Sequence, residues 1–311
     1  MKCKLSDICG FRKGKVDISN LTLKTYISTE NMLPNKGGIT VASSLPTVQL
    51  TQEYKKGDVL VSNIRPYFKK IWQAKCDGGC SNDVLVFQGN SNIDGDFLYY
   101  ILANDDFFAY SMATSKGTKM PRGDKTSIMQ YEVPLIDLQV QKKIASVLKV
   151  LDEKIELNNE INNNLLEQVL AIYRHRFVDT TNELRQTCRA DEYFDISIGK
   201  TPPRKEPQWF STNPKDVTWV SISDMGTCGL YISESSEQLT REAVVRHNVK
   251  IVPDNTVLLS FKLTVGRIAI TDGEMTTNEA IAHFKTDKKE INEYLYCYLK
   301  CFNYQTMGST S

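Results

Sequence analysis

The chain has 311 residues, 41% of them apolar, and carries 38 Lys+Arg against 37 Asp+Glu for a net charge of +1. That length suits about two domains, and the balance of charge excludes a polyanion binder that works by net charge alone. No apolar run reaches the length of a membrane span, and the first ten residues, MKCKLSDICG, are too polar for a secretory signal. A cytoplasmic protein with no membrane contact is therefore expected, its eight cysteines free thiols.

Residues 1–135 read as a mixed α/β domain and hold the basic excess, 17 Lys+Arg to 13 Asp+Glu. Strands are expected at 38–42, 58–62 and 83–87, separated by the turn signals Asn35-Lys36-Gly37-Gly38 and Asp77-Gly78-Gly79. A helix is expected over 96–112, then the polar loop SKGTKMPRGDK, then a short strand at 130–133 ended by Pro134.

Residues 139–177 contain neither Gly nor Pro. Ile144, Leu148, Leu151 and Ile155 are spaced four, three, four, and Leu165, Val169 and Ile172 four and three. This is the spacing of a coiled-coil seam, on a helix that would run roughly 60 Å. A single apolar stripe must meet another helix, in this chain or in a partner. Asn158 and Asn162 fall in the seam, where an Asn either fixes register or marks a solvated middle.

The last segment repeats the first. GDVLVSNIRPYFKKI (57–71) matches DNTVLLSFKLTVGRIAI (254–270), with Val59 and Val257 198 residues apart. CSNDVLVFQ matches TTNEAIAHFK, with Asn82 and Asn278 196 apart, and FLYYIL matches YLYCYL, with Leu98 and Leu295 197 apart. Three segments in one order at nearly the same offset indicate duplication. The repeat predicts a second long helix near residue 336, beyond Ser311, with YQTMGSTS matching the YSMATSKGT loop. The expected plan is a first domain over 1–135, a spacer helix over 136–178 and a second domain over 179–311, shortened at its end, with the second spacer helix missing.

This pattern resembles the specificity subunit of type I restriction–modification enzymes, the HsdS family, C-terminally truncated. The resemblance rests on Pro134, Gln141, Ile144-Ala145, Leu148, Asp152, Ile155 and Phe177 for its spacer helix, and on GKTPPRKEPQWF, VTWVSISDM, NTVLLSFKLTVGRIAI and TTNEAIAHF for its recognition domains. It implies an α/β (α+β) fold of two similar target-recognition domains joined by a coiled-coil-type spacer helix. Each domain would read half of a split site on double-stranded DNA. Methyltransferase (M) subunits and a restriction/motor (R) subunit would assemble around the chain. It implies no catalysis by this chain and no cofactor of its own, with S-adenosylmethionine, ATP and Mg²⁺ on the partners.

The residues agree. There is no P-loop, no G-x-G-x-x-G and no Asn/Asp-Pro-Pro-Tyr run. Three scattered His, at 175, 247 and 283, and CxxxC pairs at 76/80 and 297/301 do not make a metal site. Residues suited to phosphates and base edges gather in loops at matching places. In the first half these are Arg12, Lys13 and Lys15; Ser62, Asn63, Arg65, Tyr67, Lys69 and Lys70; and Ser115, Lys116, Thr118, Lys119 and Arg122. In the second they are Lys200, Thr201, Arg204 and Lys205; Ser260, Lys262, Thr264 and Arg267; and Thr276, Thr277 and Asn278. Trp72, Trp209 and Trp219 are expected in the core. Rival readings are a helical scaffold that binds no DNA, an inactive shortened copy, a nuclease using Asp254 and Asp287, and a chain that pairs with itself through the open seam.

Overall fold

The computed structural model describes residues 2–179 and 188–304. It falls into two compact units, divided between Asn159 and Glu160, inside the long helix.

In the first unit, residues 59–61 and 84–87 are apolar at successive positions, a pattern that needs cover on both faces. They are the middle strands of a four-stranded antiparallel sheet, in the order Cys9–Phe11, Val84–Gly89, Val59–Ser62, Ile71–Gln73. Val59, Val61, Leu85 and Phe87 pack with Phe97, Leu98, Leu102 and Phe107 of two helices. Leu60, Val84 and Val86 pack on the other side with Ile27, Tyr54 and Cys80 of a second sheet. That sheet runs Lys15–Asp17, Leu50–Tyr54, Gly78–Cys80, Tyr26–Ile27, its last pair parallel.

Three local expectations fail here for tertiary reasons. Residues 38–42 form no strand. Only Ile39 makes a bridge, to Met32, because buried Asn31 takes the local backbone, donating to the Tyr26 and Thr40 carbonyls at 3.1 and 2.9 Å. Gly78 and Gly79, expected in a turn, lie in the strand Gly78–Cys80, because strands on both sides supply its ladder. The helix expected over 96–112 is two, Gly95–Ala103 and Asp105–Ala113. Asn104 leaves helical backbone at ψ 141° and caps the second helix, its side chain accepting the Asp106 N–H at 3.0 Å.

The second unit repeats the plan. Its larger sheet runs Asp195–Ile198, Ile281–Lys285, Val257–Ser260, Ile268–Thr271, Tyr231–Ile232. Val257 faces Phe284 in register as Val59 faces Phe87, and Leu258 faces His283 as Leu60 faces Val86. Asn292–Cys301 covers one side, with Leu295 and Leu299 in the core, as Gly95–Ala103 does in the first unit. The smaller sheet departs from the copy. Its order is Phe210–Ser211, Glu237–Leu239, Val217–Val220, Thr276–Thr277. Beyond Tyr304, the YQTMGSTS correspondence lies outside the described residues, as do residues 180–187.

The long helix spans Leu138–Tyr173 and ends in a π-helical turn, Arg174–Val178. It meets the first unit through a polar clamp. The Gln141 carboxamide accepts the Asp94 N–H at 2.9 Å and donates to the carbonyls of Ile136 and Asn92 at 2.8 and 3.2 Å. Ala145 is buried beside it, and Lys149 pairs with Asp96 at 2.8 Å. Tyr100 donates to Asp152 at 2.8 Å. It meets the second unit through an apolar one, where Leu166, Leu170 and Tyr173 join the core and the Tyr173 and Phe177 rings lie 5.5 and 5.2 Å from Tyr294. Ile144, Leu148, Leu151, Ile155, Leu165, Val169 and Ile172 are on neither clamp and are exposed. The helix thus carries two faces, and the sequence pattern showed the outer one. Asn158 and Asn162 are exposed as well.

Candidate nucleic-acid interface

In the first unit, backbone hydrogen bonds join three loops. Asn63 N–H donates to the Asp83 carbonyl at 2.8 Å, Arg65 N–H to Pro121 at 2.8 Å and Gly123 N–H to Asn63 at 3.1 Å. Lys116 and Arg122 exchange both backbone bonds at 2.9 Å. Asn35 N–H reaches the Phe68 carbonyl at 2.8 Å and Lys36 N–H that of Lys69 at 2.9 Å. Four of these residues, Asn35, Lys36, Arg65 and Lys69, hold left-handed backbone with φ between 50° and 62°. Bulky residues seldom adopt it, so the surrounding bonds hold the loops in a strained form. Asn63 Oδ1 and Arg65 Nε are buried without a hydrogen-bond partner among the described residues.

The charges on these loops are matched internally. Asp105 receives Lys36 and Lys69 at 2.8 and 2.9 Å, which hold its carboxyl down at about 2. Lys116 does the same for Asp124, also at about 2, and Arg122 pairs with Asp83 at 3.1 Å. Lys70 donates to the Thr29 carbonyl at 2.6 Å, and its partial burial lowers its pKa. Tyr67, Thr118 and Lys119 are exposed. Exposed ion pairs of this kind contribute about 0–1 kcal/mol each, so a phosphate can replace the carboxylate at small cost.

Not every expected contact is available. Arg12 is turned inward, its guanidinium meeting Asp58 at 2.5 and 2.9 Å, and that hydrogen bond raises its pKa. Lys13 and Lys15 stay exposed. Ser62 is buried and donates to the Ile64 carbonyl at 3.1 Å, and Ser115 donates to Met112 at 2.7 Å. These hydroxyls shape loops; they do not face a ligand.

In the second unit, three segments meet. Lys200 N–H donates to the Thr277 carbonyl at 2.9 Å and Phe261 N–H to that of Ala280 at 3.0 Å. Thr201 hydrogen-bonds Glu279, which lowers the carboxyl's pKa. The Arg204 guanidinium lies 4.1 Å from the Phe210 ring centre and 4.6 Å from that of Trp219, and donates to Glu237 at 2.8 Å. Lys200, Lys205, Lys262 and Thr264 are exposed. Five expected contacts are engaged within the protein instead. Ser260, Thr276 and Thr277 are fully buried, donating respectively to Thr264, Thr218 and Asn278 carbonyls. Arg267 is held by the Ile222 carbonyl. Asn278 closes a turn by accepting the Ala280 N–H at 3.1 Å. Trp209 and Trp219 are core residues and Trp72 is half-buried. Sequence reasoning passed over Lys36, hidden in a turn signal, and Leu263, whose exposure no pattern announces.

Asp254 accepts the Gly273 N–H at 2.8 Å, closing the turn before Val257–Ser260. Among the described residues, no group of three or more His, Cys, Asp or Glu could hold a metal ion. All eight cysteines are free, and no helix among the described residues is long and apolar enough to cross a membrane.

Comparison with known proteins gives a consistent picture. The model of the family described as "Type I restriction modification DNA specificity domain" matches residues 1–167 and again 182–310. The specificity subunit of the type I restriction enzyme HindI from Haemophilus influenzae is 23% identical, the match covering 95% of this chain and 81% of that protein. The MjaIX specificity subunit from Methanocaldococcus jannaschii is 27% identical over 34% of this chain and 24% of its own length. The crystal structure of a type I restriction–modification system S subunit from M. genitalium has the same fold, with TM-score 0.53, 15% identity and coverage of 96% of this chain and 76% of that one.

Proposed function

The chain belongs to the type I restriction modification DNA specificity family, and we propose that it is the non-catalytic subunit through which such a system reads duplex DNA. The observation that carries this is the double match: the family model matches the chain in two copies, and one loop-joining bond recurs, Asn63 N–H to the Asp83 carbonyl in the first and Phe261 N–H to the Ala280 carbonyl in the second. In this reading each unit holds one half of a split site. Lys36, Lys69, Lys116, Lys119 and Arg122 take phosphates in the first unit, and Lys200, Lys205 and Lys262 in the second, so affinity falls steeply with salt. Methylation and cleavage, with S-adenosylmethionine, ATP and Mg²⁺, belong to M and R subunits, and the complex works in the cytoplasm where its DNA is. The exposed stripe from Ile144 to Ile172 is the surface on which a partner helix packs.

The test is co-expression with a methyltransferase subunit and mapping of modified adenines. The expected result is a split motif with a fixed gap. Modification without sequence preference, or none in an assembled complex, would overturn the reading.

A further inference from the structure

Leu263 is 95% exposed, above every other large apolar side chain described. It sits between the strands Val257–Ser260 and Ile268–Thr271 on left-handed backbone, φ 62°, which a leucine seldom adopts. The loop beneath it is built to keep it there. The buried Ser260 hydroxyl donates to the Thr264 carbonyl at 2.5 Å and accepts the Arg267 N–H at 3.0 Å. Gly266 N–H donates to the Ser260 carbonyl at 3.0 Å, and Phe261 is tied to Ala280. The same place in the first unit, 198 residues earlier, is Arg65, also left-handed with φ 50°. There the loop lies among the basic residues described above. Around Leu263 stand exposed Lys262, Thr264 and half-exposed Val265, a basic and hydroxyl setting that suits phosphates.

A side chain held out on strained backbone, in a recognition loop, with no hydrogen bond to offer, can discriminate only by apolar contact. In the major groove the one apolar feature of a base edge is the 5-methyl group of thymine. We propose that Leu263 is a specificity-determining residue of the second unit, reading a thymine methyl in its half-site. This rests on the proposed function and goes beyond it by assigning one residue to one chemical feature of the target.

The test uses the complex co-expressed with its methyltransferase subunit, once the modified motif is mapped. In the half-site read by the second unit, each thymine is replaced in turn by deoxyuridine, which lacks only the methyl group. The wild-type complex is expected to lose about fourfold in affinity at one position, the worth of one buried methyl. The Leu263→Ala complex is expected to show no penalty there, while its salt dependence stays that of wild type because the phosphate contacts remain. Equal binding to every deoxyuridine duplex, a penalty unchanged in Leu263→Ala, or a half-site with no A·T pair would overturn the assignment. Each of these leaves the proposed function standing. A complex with no sequence-defined motif overturns both.

Discussion

The two units share a backbone plan but solve the same positions with different side chains. Opposite Leu60 the first unit places Val86; opposite Leu258 the second places His283, fully buried between Ser197 at 3.3 Å and Thr277 at 2.7 Å. At the tip of the central hairpin the first unit has Arg65 in an ion-paired, basic surface, and the second has an exposed leucine. The first unit grips the long helix through the Gln141 carboxamide, the second through Tyr173, Phe177 and Tyr294. The register of the central strand pair and the left-handed turn at the hairpin tip are what the duplication kept. The chemistry displayed on them was free to diverge, as two readers of two different half-sites would require.

One expected difference lies at two glycines that start matched Gly-Lys pairs, Gly14-Lys15 and Gly199-Lys200. Each follows by three residues the strand residue opposite a matched phenylalanine, Phe87 or Phe284. A Cβ on Gly199 would fall 2.2 and 2.3 Å from the backbone oxygens of Thr277 and Asn278, which cannot move without breaking the sheet. At Gly14 the obstacle is the Glu53 side chain, which can swing away. Gly199→Ala is expected to cost about 3 kcal/mol, the upper end for overpacking, and Gly14→Ala under about 1 kcal/mol on the same scale. Hydrogen exchange resolved to each half of the full chain reads both. Equal losses would mean that the matched positions are not strained differently.

Acid should separate the units next. Burial, with Lys285 and Lys250 adding to it, holds the His283 imidazole down at about 4 from 6.5. A histidine whose pKa falls on folding is protonated first in the unfolded state. Its contribution is therefore fully present above about pH 6.5 and is lost as the pH falls toward 4, by about 3 kcal/mol. Protection in the second half should drop across that window while the half built on Val86 holds, and His283→Val should flatten the response. An acid response centred on the first half would break the comparison.

The smallest effect concerns charge. Asp105 occupies Lys36 and Lys69 in the first unit, and the residue 197 further on is Phe302. Asp105→Asn should free both lysines and raise non-specific DNA affinity a few-fold at low salt, with a steeper salt slope. The gain should vanish at high ionic strength. A filter-binding series that gives the wild-type slope for the variant would show that the pairing does not compete with phosphate.

Much of this protein was legible in the residues alone. The long helix was, because 39 residues without Gly or Pro at helical spacing admit little else. The central strands were, because VLV and VLVF are apolar at every position. The duplication was, because matched segments keep nearly the same offset, and with it the family. What tertiary structure decided is which side chains face outward. Ser62, Ser260, Thr276 and Thr277 look like readers in a string of letters, yet each is buried, its hydroxyl spent on a backbone carbonyl that shapes or ties the site. Arg12 is consumed by Asp58, 46 residues away, and Leu263 is put on display by Ser260 beneath it. Periodicity records which elements form, since that is local. Exposure depends on partners distant in sequence, and no spacing encodes it.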